Sequence, residues 1–262
     1  MHSKKHNDCL TIPIGLSTDN DTVVEMAFSC GGSSRGINGF QVFTPDETAI
    51  INHILENGRR KYNEEELDFQ ILHCDKYYDL PIKQVFRNND YIQIKSYQEL
   101  FVELESIQKE IHRRMDLMEK NNTPTFHAYQ QKANDNCFSQ KIIFVNELFH
   151  LNDNMDETSP SEQQYENYSH ELIRWLSRVS WHFGVYFVFL FRYDPRCYPY
   201  SSILGNFMGR IYCSRYCGQV IDYEVRHLEE EIRKMGEKEL YVFQDIRDGL
   251  FCKCKSMIFE NL

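Results

Sequence analysis

The stretch Val185–Phe191 reads Val-Tyr-Phe-Val-Phe-Leu-Phe, seven apolar or aromatic residues in a row. A strand that is apolar at every position has no face for water, which is typical of the middle of a parallel sheet covered by helices on both sides. Two other stretches, Leu67–Cys74 and Lys141–Val145, also favour buried strands. The sequence therefore predicts a sheet whose two faces are both covered.

Amphipathic helices separate these strands. In Tyr97–Glu119 the apolar residues recur at every third or fourth position, and Gln163–Phe183 shows the same spacing. Further strands are predicted over Val23–Phe28, Phe40–Thr44 and Arg210–Ser214, with a strand pair in Leu250–Phe259, and further helices over Ala49–Glu56 and Tyr223–Met235. This alternation predicts an α/β fold with a central, mostly parallel sheet flanked by helices. In such sheets ligands bind beyond the carboxyl ends of the strands, so the residues after each strand are the candidates for function.

Length and charge limit the possible functions. At about 150 residues per domain, a chain of 262 residues has one or two domains. We expect one, in which residues 1–38 contribute a strand and a Gly- and Ser-rich loop and residues 39–262 form the α/β core. The formal net charge of −10 argues against binding nucleic acid through the overall field. No apolar run approaches the roughly 20 residues of a membrane span, and the first residues lack the apolar part of a secretory signal, so we expect a cytoplasmic protein.

The nine cysteines leave two interpretations open. Cys213 with Cys217, and Cys252 with Cys254, have spacings that a four-thiolate zinc site would use. Scattered, reduced cysteines buried as small apolar residues are the favoured interpretation, because free cysteine is commonly buried.

Seven short segments follow one another in an order known from one protein family. They are Ile12–Leu16 (IPIGL), Ile71–Lys76 (ILHCDK), Glu110–Arg114 (EIHRR) followed by Tyr129, Ile142–Leu148 (IIFVNEL), Gly184–Pro195 (GVYFVFLFRYDP), Asn206–Ile211 (NFMGRI) and Asp248–Phe251 (DGLF). In this order they resemble the motor domain of the FtsK/SpoIIIE family, which contains DNA translocases and related type VII secretion ATPases. The resemblance implies the RecA-like P-loop NTPase fold.

The resemblance places the nucleotide site between the strand that ends at Thr44 and the helix that follows. A phosphate-binding loop needs glycines, a lysine for the phosphates and a Ser or Thr for Mg²⁺. The positions here are Thr44, Pro45, Asp46, Glu47 and Thr48, without a glycine or a lysine. They instead predict a helix start with Thr44 as N-cap, Pro45 at the first helical position and Glu47 closing a capping box. A carboxylate about 4 Å from a phosphate opposes it by about 4 kcal/mol at an effective dielectric constant of about 20, so Asp46 and Glu47 predict poor ATP binding.

The second acidic motif is half retained. Asn146 stands at the position of the aspartate that supports Mg²⁺, and a neutral amide is a weak partner for that ion. Glu147 stands where the family has its water-activating carboxylate, and the alternative is a carboxylate satisfied by neighbouring N–H groups at a strand end. Phe191 and Arg192 replace the Thr-Gln pair of the family's sensor strand. Family members form rings in which an arginine reaches the neighbour's nucleotide, and Arg210 matches the arginine of the family's Asn-Phe-x-x-Arg-Ile motif.

Two functions follow from these motifs. The favoured one is a degenerate, nucleotide-binding-deficient domain without a cofactor, which acts as a non-catalytic partner of an active FtsK-like motor or binds a secretion substrate. The alternative is an ATP-dependent DNA translocase subunit with residual activity, using ATP and Mg²⁺, with Glu147 as base and Arg210 acting in trans. Either function allows homo- or hetero-oligomers, and DNA contact only within an assembly. A zinc-dependent or nuclease-like activity is a third, weaker alternative.

Overall fold

The computed structural model describes residues 9–19, 21–29, 38–74, 86, 90–133, 138–146, 148, 151, 160–192, 209–213, 229–236, 239–245 and 250–256. The strands are β1 (Cys9–Ser17), β2 (Val23–Ser29), β3 (Gly39–Phe43), β4 (Leu67–His73), β5 (Tyr91–Gln93), β6 (Gln140–Asn146), β7 (Val185–Phe191), β8 (Gly209–Cys213), β9 (Glu239–Asp245) and β10 (Leu250–Ser256). The helices are α1 (Glu47–Lys61), α2 (Tyr97–Lys120), α3 (Phe126–Ala133), α4 (Pro160–Val179), which continues as a 3-10 turn over Ser180–Phe183, and α5 (Glu229–Arg233).

All of these strands belong to one sheet, in the order β2-β1-β10-β9-β8-β3-β7-β6-β4-β5. The block from β8 to β5 is parallel. The remaining strands continue the sheet from β8 through antiparallel pairs. The prediction of a mostly parallel sheet flanked by helices is confirmed, and β1 and β2 of the N-terminal segment join the same sheet.

Strand β7 shows why every residue of its sequence is apolar. Its alternate residues point to opposite faces of the sheet. Val185, Phe187, Phe189 and Phe191 join a core on the side of α2 and α4. The other three residues of β7 join a second core that includes apolar residues of α1, β1 and β2. Because both faces are covered, neither set of side chains in β7 needs to be polar.

Several elements differ from the sequence prediction. Helix α1 is longer than Ala49–Glu56 at both ends, and β1, β5, α3 and β9 were not predicted. In place of the strand pair predicted in Leu250–Phe259, the described residues form the single strand β10, which pairs with β1 and β9. Strand β9 pairs with both β8 and β10, so β8 lies inside the sheet. The predicted helix over residues 223–235 is described only from Glu229, as α5.

The register of the parallel strands places their carboxyl ends along one edge. Phe43 of β3 lies opposite Phe191 of β7 and Tyr212 of β8. Asn146 of β6 lies opposite His73 of β4. The edge therefore brings together the residues at or just after these ends, which belong to segments far apart in sequence. They are Thr44, His73, Asn146, Arg192 and Cys213.

Candidate functional site

The turn between β3 and α1 is held by Thr44. Its backbone N–H donates to the carbonyl oxygen of Phe191 at 3.0 Å, which ties the end of β3 to the end of β7. Its hydroxyl Oγ1 accepts a hydrogen bond from the N–H of Asp46 at 3.1 Å and lies 3.1 Å from the Asp46 carbonyl oxygen, to which it donates. Thr44 is buried, so its hydroxyl is used within the turn.

The start of α1 corrects the predicted cap. The N-cap is Asp46, whose Oδ1 accepts from the N–H of Ala49 at 3.0 Å. Thr44 as N-cap is therefore wrong, and Pro45 precedes the cap instead of opening the helix. Glu47 is the first residue of α1 and Thr48 the second, so Glu47 cannot close a capping box with Thr44. The carboxylate that accepts a hydrogen bond from the first turn of α1 is that of Asp46. A negative charge is favoured at this position by the helix dipole.

Glu47 makes an ion pair that sequence reasoning missed. Arg192, just after β7, donates from Nε to Glu47 Oε1 at 2.9 Å and from Nη2 to Oε2 at 2.7 Å. The Glu47 side chain is 2% exposed and that of Arg192 is 30% exposed. The charge of Glu47 is thus compensated by two charge-assisted hydrogen bonds from Arg192, a partner that the sequence analysis did not predict.

Cys213, at the end of β8, is the thiol of this edge. Burial raises the pKa of Cys213 to about 12; a hydrogen bond with Thr44 lowers it in part, and the nearby charge of Asp46 raises it further. The thiol is therefore protonated at neutral pH and is not an activated nucleophile.

Asn146 and His73 form a buried polar pair on neighbouring strands. Nδ2 of Asn146 lies 3.2 Å from Nδ1 of His73, and both side chains are fully buried. The amide of Asn146 can donate to Nδ1 in the tautomer that carries the ring proton on Nε2. Oδ1 of Asn146 accepts no hydrogen bond from a described residue. A buried amide and an imidazole therefore stand where the resemblance places the family's magnesium-supporting aspartate.

Two predicted catalytic residues keep the status of predictions. Glu147 lies outside the described residues. Arg210 lies in β8 opposite Gln41 of β3, and its side chain is only 6% exposed. Its Nη1 donates to the carbonyl oxygen of Gly209 at 3.3 Å. A role in trans would require this buried side chain to reach a neighbouring subunit.

Two basic side chains near the ends of α1 and α2, Lys61 and Arg114, make contacts within the fold. Arg114 is 3% exposed, donates to Glu110 at 2.8 Å and to the Phe183 carbonyl oxygen at 2.9 Å, and thereby ties α2 to the end of α4. Lys61, in the last turn of α1, pairs with Glu25 of β2 at 2.7 Å. Neither side chain is therefore a free contact for a phosphate.

Among the described residues, this edge offers few groups that could bind a phosphate or a metal ion. The described residues at the strand ends include no lysine, and Arg192 is engaged by Glu47. Across the described ranges, no group of three or more His, Cys, Asp and Glu side chains is arranged to hold a metal ion. The helices in these ranges are all too short or too polar to cross a lipid bilayer.

The fold matches solved structures of translocation ATPases. The pCW3 conjugation coupling protein TcpA, in a monomer form with ATPγS, is 11% identical with a TM-score of 0.67 over 98% of this chain and 68% of its own. The cytoplasmic domain of the type VII secretion ATPase EccC of Thermomonospora curvata is 14% identical with a TM-score of 0.63 over 94% of this chain. ATPases 2 and 3 of the same EccC, in complex with a signal sequence peptide, give a TM-score of 0.65 at 11% identity over 98% of this chain.

These similarities establish the RecA-like P-loop ATPase fold that the resemblance implied. This chain spans only 28% and 44% of the two EccC chains, so it corresponds to a part of them. No protein-family model matches the sequence, and no curated protein sequence does.

Proposed function

We propose that this protein is a degenerate ATPase-fold domain that does not bind nucleotide and acts as a non-catalytic partner or substrate-binding module of a DNA or protein translocase. The observation that carries the proposal is the Glu47–Arg192 ion pair at the start of α1. P-loop ATPases bind the phosphates of the nucleotide at the corresponding helix start.

An entering phosphate would meet two obstacles at this helix start. It would have to separate Glu47 from Arg192, and it would approach the carboxylate of Asp46, which already accepts from Ala49. Breaking a largely buried pair leaves a desolvated charge, which costs about 3–5 kcal/mol. No lysine in Thr44–Thr48 offsets this cost. We infer that ATP and Mg²⁺ are not cofactors of this chain.

The partner is proposed from the structural neighbours. One neighbour is a conjugation coupling protein, and another was solved with a signal sequence peptide. A domain with this fold and without nucleotide would work beside an active FtsK-like motor or hold a secretion substrate on the cytoplasmic side. The net charge of −10 disfavours DNA as a partner outside such an assembly.

Retention of Glu147 in the sequence favours a second candidate, a residual ATPase that translocates DNA. In that case Glu147 would orient or deprotonate the attacking water, and Arg210 would act on a neighbour's nucleotide. Asn146 would have to support Mg²⁺ with a neutral amide, which is a weaker ligand than a carboxylate.

A phosphate-release assay with MgATP, with and without linear duplex DNA, separates the two functions. We expect background release that DNA does not stimulate and that Glu147→Gln leaves unchanged. Stimulation by DNA, lost in Glu147→Gln and retained in the matched change Glu119→Gln at the exposed end of α2, would instead establish the residual ATPase.

A further inference from the structure

The Glu47–Arg192 contact joins two parts of the edge that are far apart in sequence. Glu47 begins α1 and Arg192 follows β7, 145 positions later. The same junction is tied by the backbone bond from Thr44 to Phe191. The ion pair therefore fixes the position of the helix start relative to the end of β7.

The geometry of the contact is that of an arginine binding an oxyanion. Both nitrogens, Nε and Nη2, donate to separate carboxylate oxygens at 2.9 and 2.7 Å. Arginine binds carboxylate and phosphate in the same fork, because both present two oxygens at a similar spacing. The burial of Glu47 shows that this oxyanion is withdrawn from water, as a bound ligand would be.

We propose that Arg192 is the receptor of an oxyanion site whose occupant is the chain's own Glu47. The carboxylate supplies, within the chain, the negative charge that a phosphate would bring to this helix start. Glu47 therefore occupies the site, and the junction of β3, α1 and β7 is held together without a bound ligand. Removing the carboxylate opens a site for inorganic phosphate at Arg192, where the remaining carboxylate of Asp46, held by the N–H of Ala49, weakens the binding without closing the site. This inference rests on the proposed function, since a chain that binds nucleotide here would not need an internal occupant.

Chemical rescue by inorganic phosphate tests the proposal. Glu47→Ala removes both the charge and the volume of the occupant, whereas Glu47→Gln removes the charge and keeps the volume. The unfolding temperature of each variant is measured in potassium phosphate and in potassium chloride at equal ionic strength. Phosphate stabilises many proteins by exclusion from their surface, so a matched variant sets the baseline. Glu25→Ala is this matched variant, because it removes the carboxylate from the exposed ion pair between Lys61 and Glu25.

We expect phosphate to raise the unfolding temperature of Glu47→Ala by about 2–4 °C more than that of Glu25→Ala or of the wild type. The extra increase should disappear in Glu47→Ala/Arg192→Gln, and it should be smaller in Glu47→Gln, whose amide fills the space. An equal increase in Glu47→Ala and Glu25→Ala would overturn the proposal. So would an extra increase that survives the loss of Arg192.

If Glu47→Ala does not fold, Glu47→Asp replaces it. The shorter carboxylate reaches Arg192 less well, so phosphate should still stabilise it more than the wild type, and an equal response would overturn the proposal. The proposed function is judged separately, by nucleotide binding to the wild type. A wild type that binds ATP contradicts the proposed function, whereas an absent phosphate response in the variants contradicts only the internal occupant.

Discussion

At the scale of single residues, some features of the site can be predicted from the local sequence and others cannot. The sequence of Thr44–Thr48 contains Asp46 and Glu47 and neither glycine nor lysine, and the expected carboxylate at the helix start is present. The N-cap itself was predicted wrongly as Thr44, because Thr44 and Asp46 both suit that position and the choice depends on the path of the turn. The pairing of Glu47 with Arg192 could not be predicted from the sequence, because 145 positions separate the two residues and only the sheet brings them together.

The two ends of the Glu47–Arg192 pair should respond differently to substitution. Arg192→Gln leaves a carboxylate that is 2% exposed without its cation, and the loss should be about 3 kcal/mol in the free energy of unfolding. Glu47→Gln leaves an arginine that is 30% exposed and can turn to water, so its loss should be about 1 kcal/mol. Urea denaturation measures both. A loss in Glu47→Gln as large as that in Arg192→Gln would contradict this assignment, and the exposed control Lys61→Gln should cost below about 1 kcal/mol.

Gly184 is required by the turn before β7. Its φ of 71° lies in the left-handed region, and a Cβ there would lie 2.6 Å from Cε1 of Phe126. Gly184→Ala should therefore destabilise the protein by about 2–4 kcal/mol, the sum of backbone strain and overpacking. In the control Gly236→Ala the nearest atom to the new Cβ is 3.7 Å away, so thermal or urea unfolding should change little. Similar losses in both variants would show that the Phe126 contact is not the cause.

At the scale of elements, long periodic segments were predictable, whereas short elements and the antiparallel strand β9 were not. β7 has the predicted bounds, and α2 differs from its prediction by one residue. β5 has only three residues and α3 eight, too few for a clear period. β9 was not predicted as a strand, although Leu240 to Phe243 are apolar. Its position in the sheet is defined by antiparallel partners on both sides.

The packing of α2 against α4 predicts a pH dependence. His170 of α4 lies against Tyr97 of α2, and burial, with the charge of Arg174 adding and that of Glu171 opposing, lowers the pKa of His170 from 6.5 to about 4. A histidine whose pKa is lower in the folded state contributes stability above pH 6.5, and that contribution is lost as the pH falls from 6.5 towards 4. The free energy of unfolding should fall over this window, and less steeply in His170→Gln. His112→Gln, which removes an exposed histidine from α2, is the matched control. Equal slopes in wild type and His170→Gln would show that His170 does not carry the effect.

At the scale of the whole molecule, the fold follows from the alternation of buried strands and amphipathic helices. Both faces of a parallel sheet must be covered, and the two cores on either side of β7 meet that requirement. The motif order extended this to the RecA-like fold, which the structural neighbours share. That β9, β10, β1 and β2 extend the sheet beyond β8 could not be predicted. Antiparallel strands added at one side of a parallel block leave no signal in the sequence of that block.

We propose that this ATPase-fold domain has closed its own nucleotide site through the Glu47–Arg192 pair. Isothermal titration of MgATP into the wild-type chain tests it most directly, with magnesium chloride alone as the blank. We expect no saturable heat up to about 1 mM nucleotide. Even a Kd of about 1 mM would correspond to only about −4.1 kcal/mol of binding free energy. Saturable binding with a micromolar Kd, weakened by Asn146→Leu at the buried edge of the sheet, would contradict it.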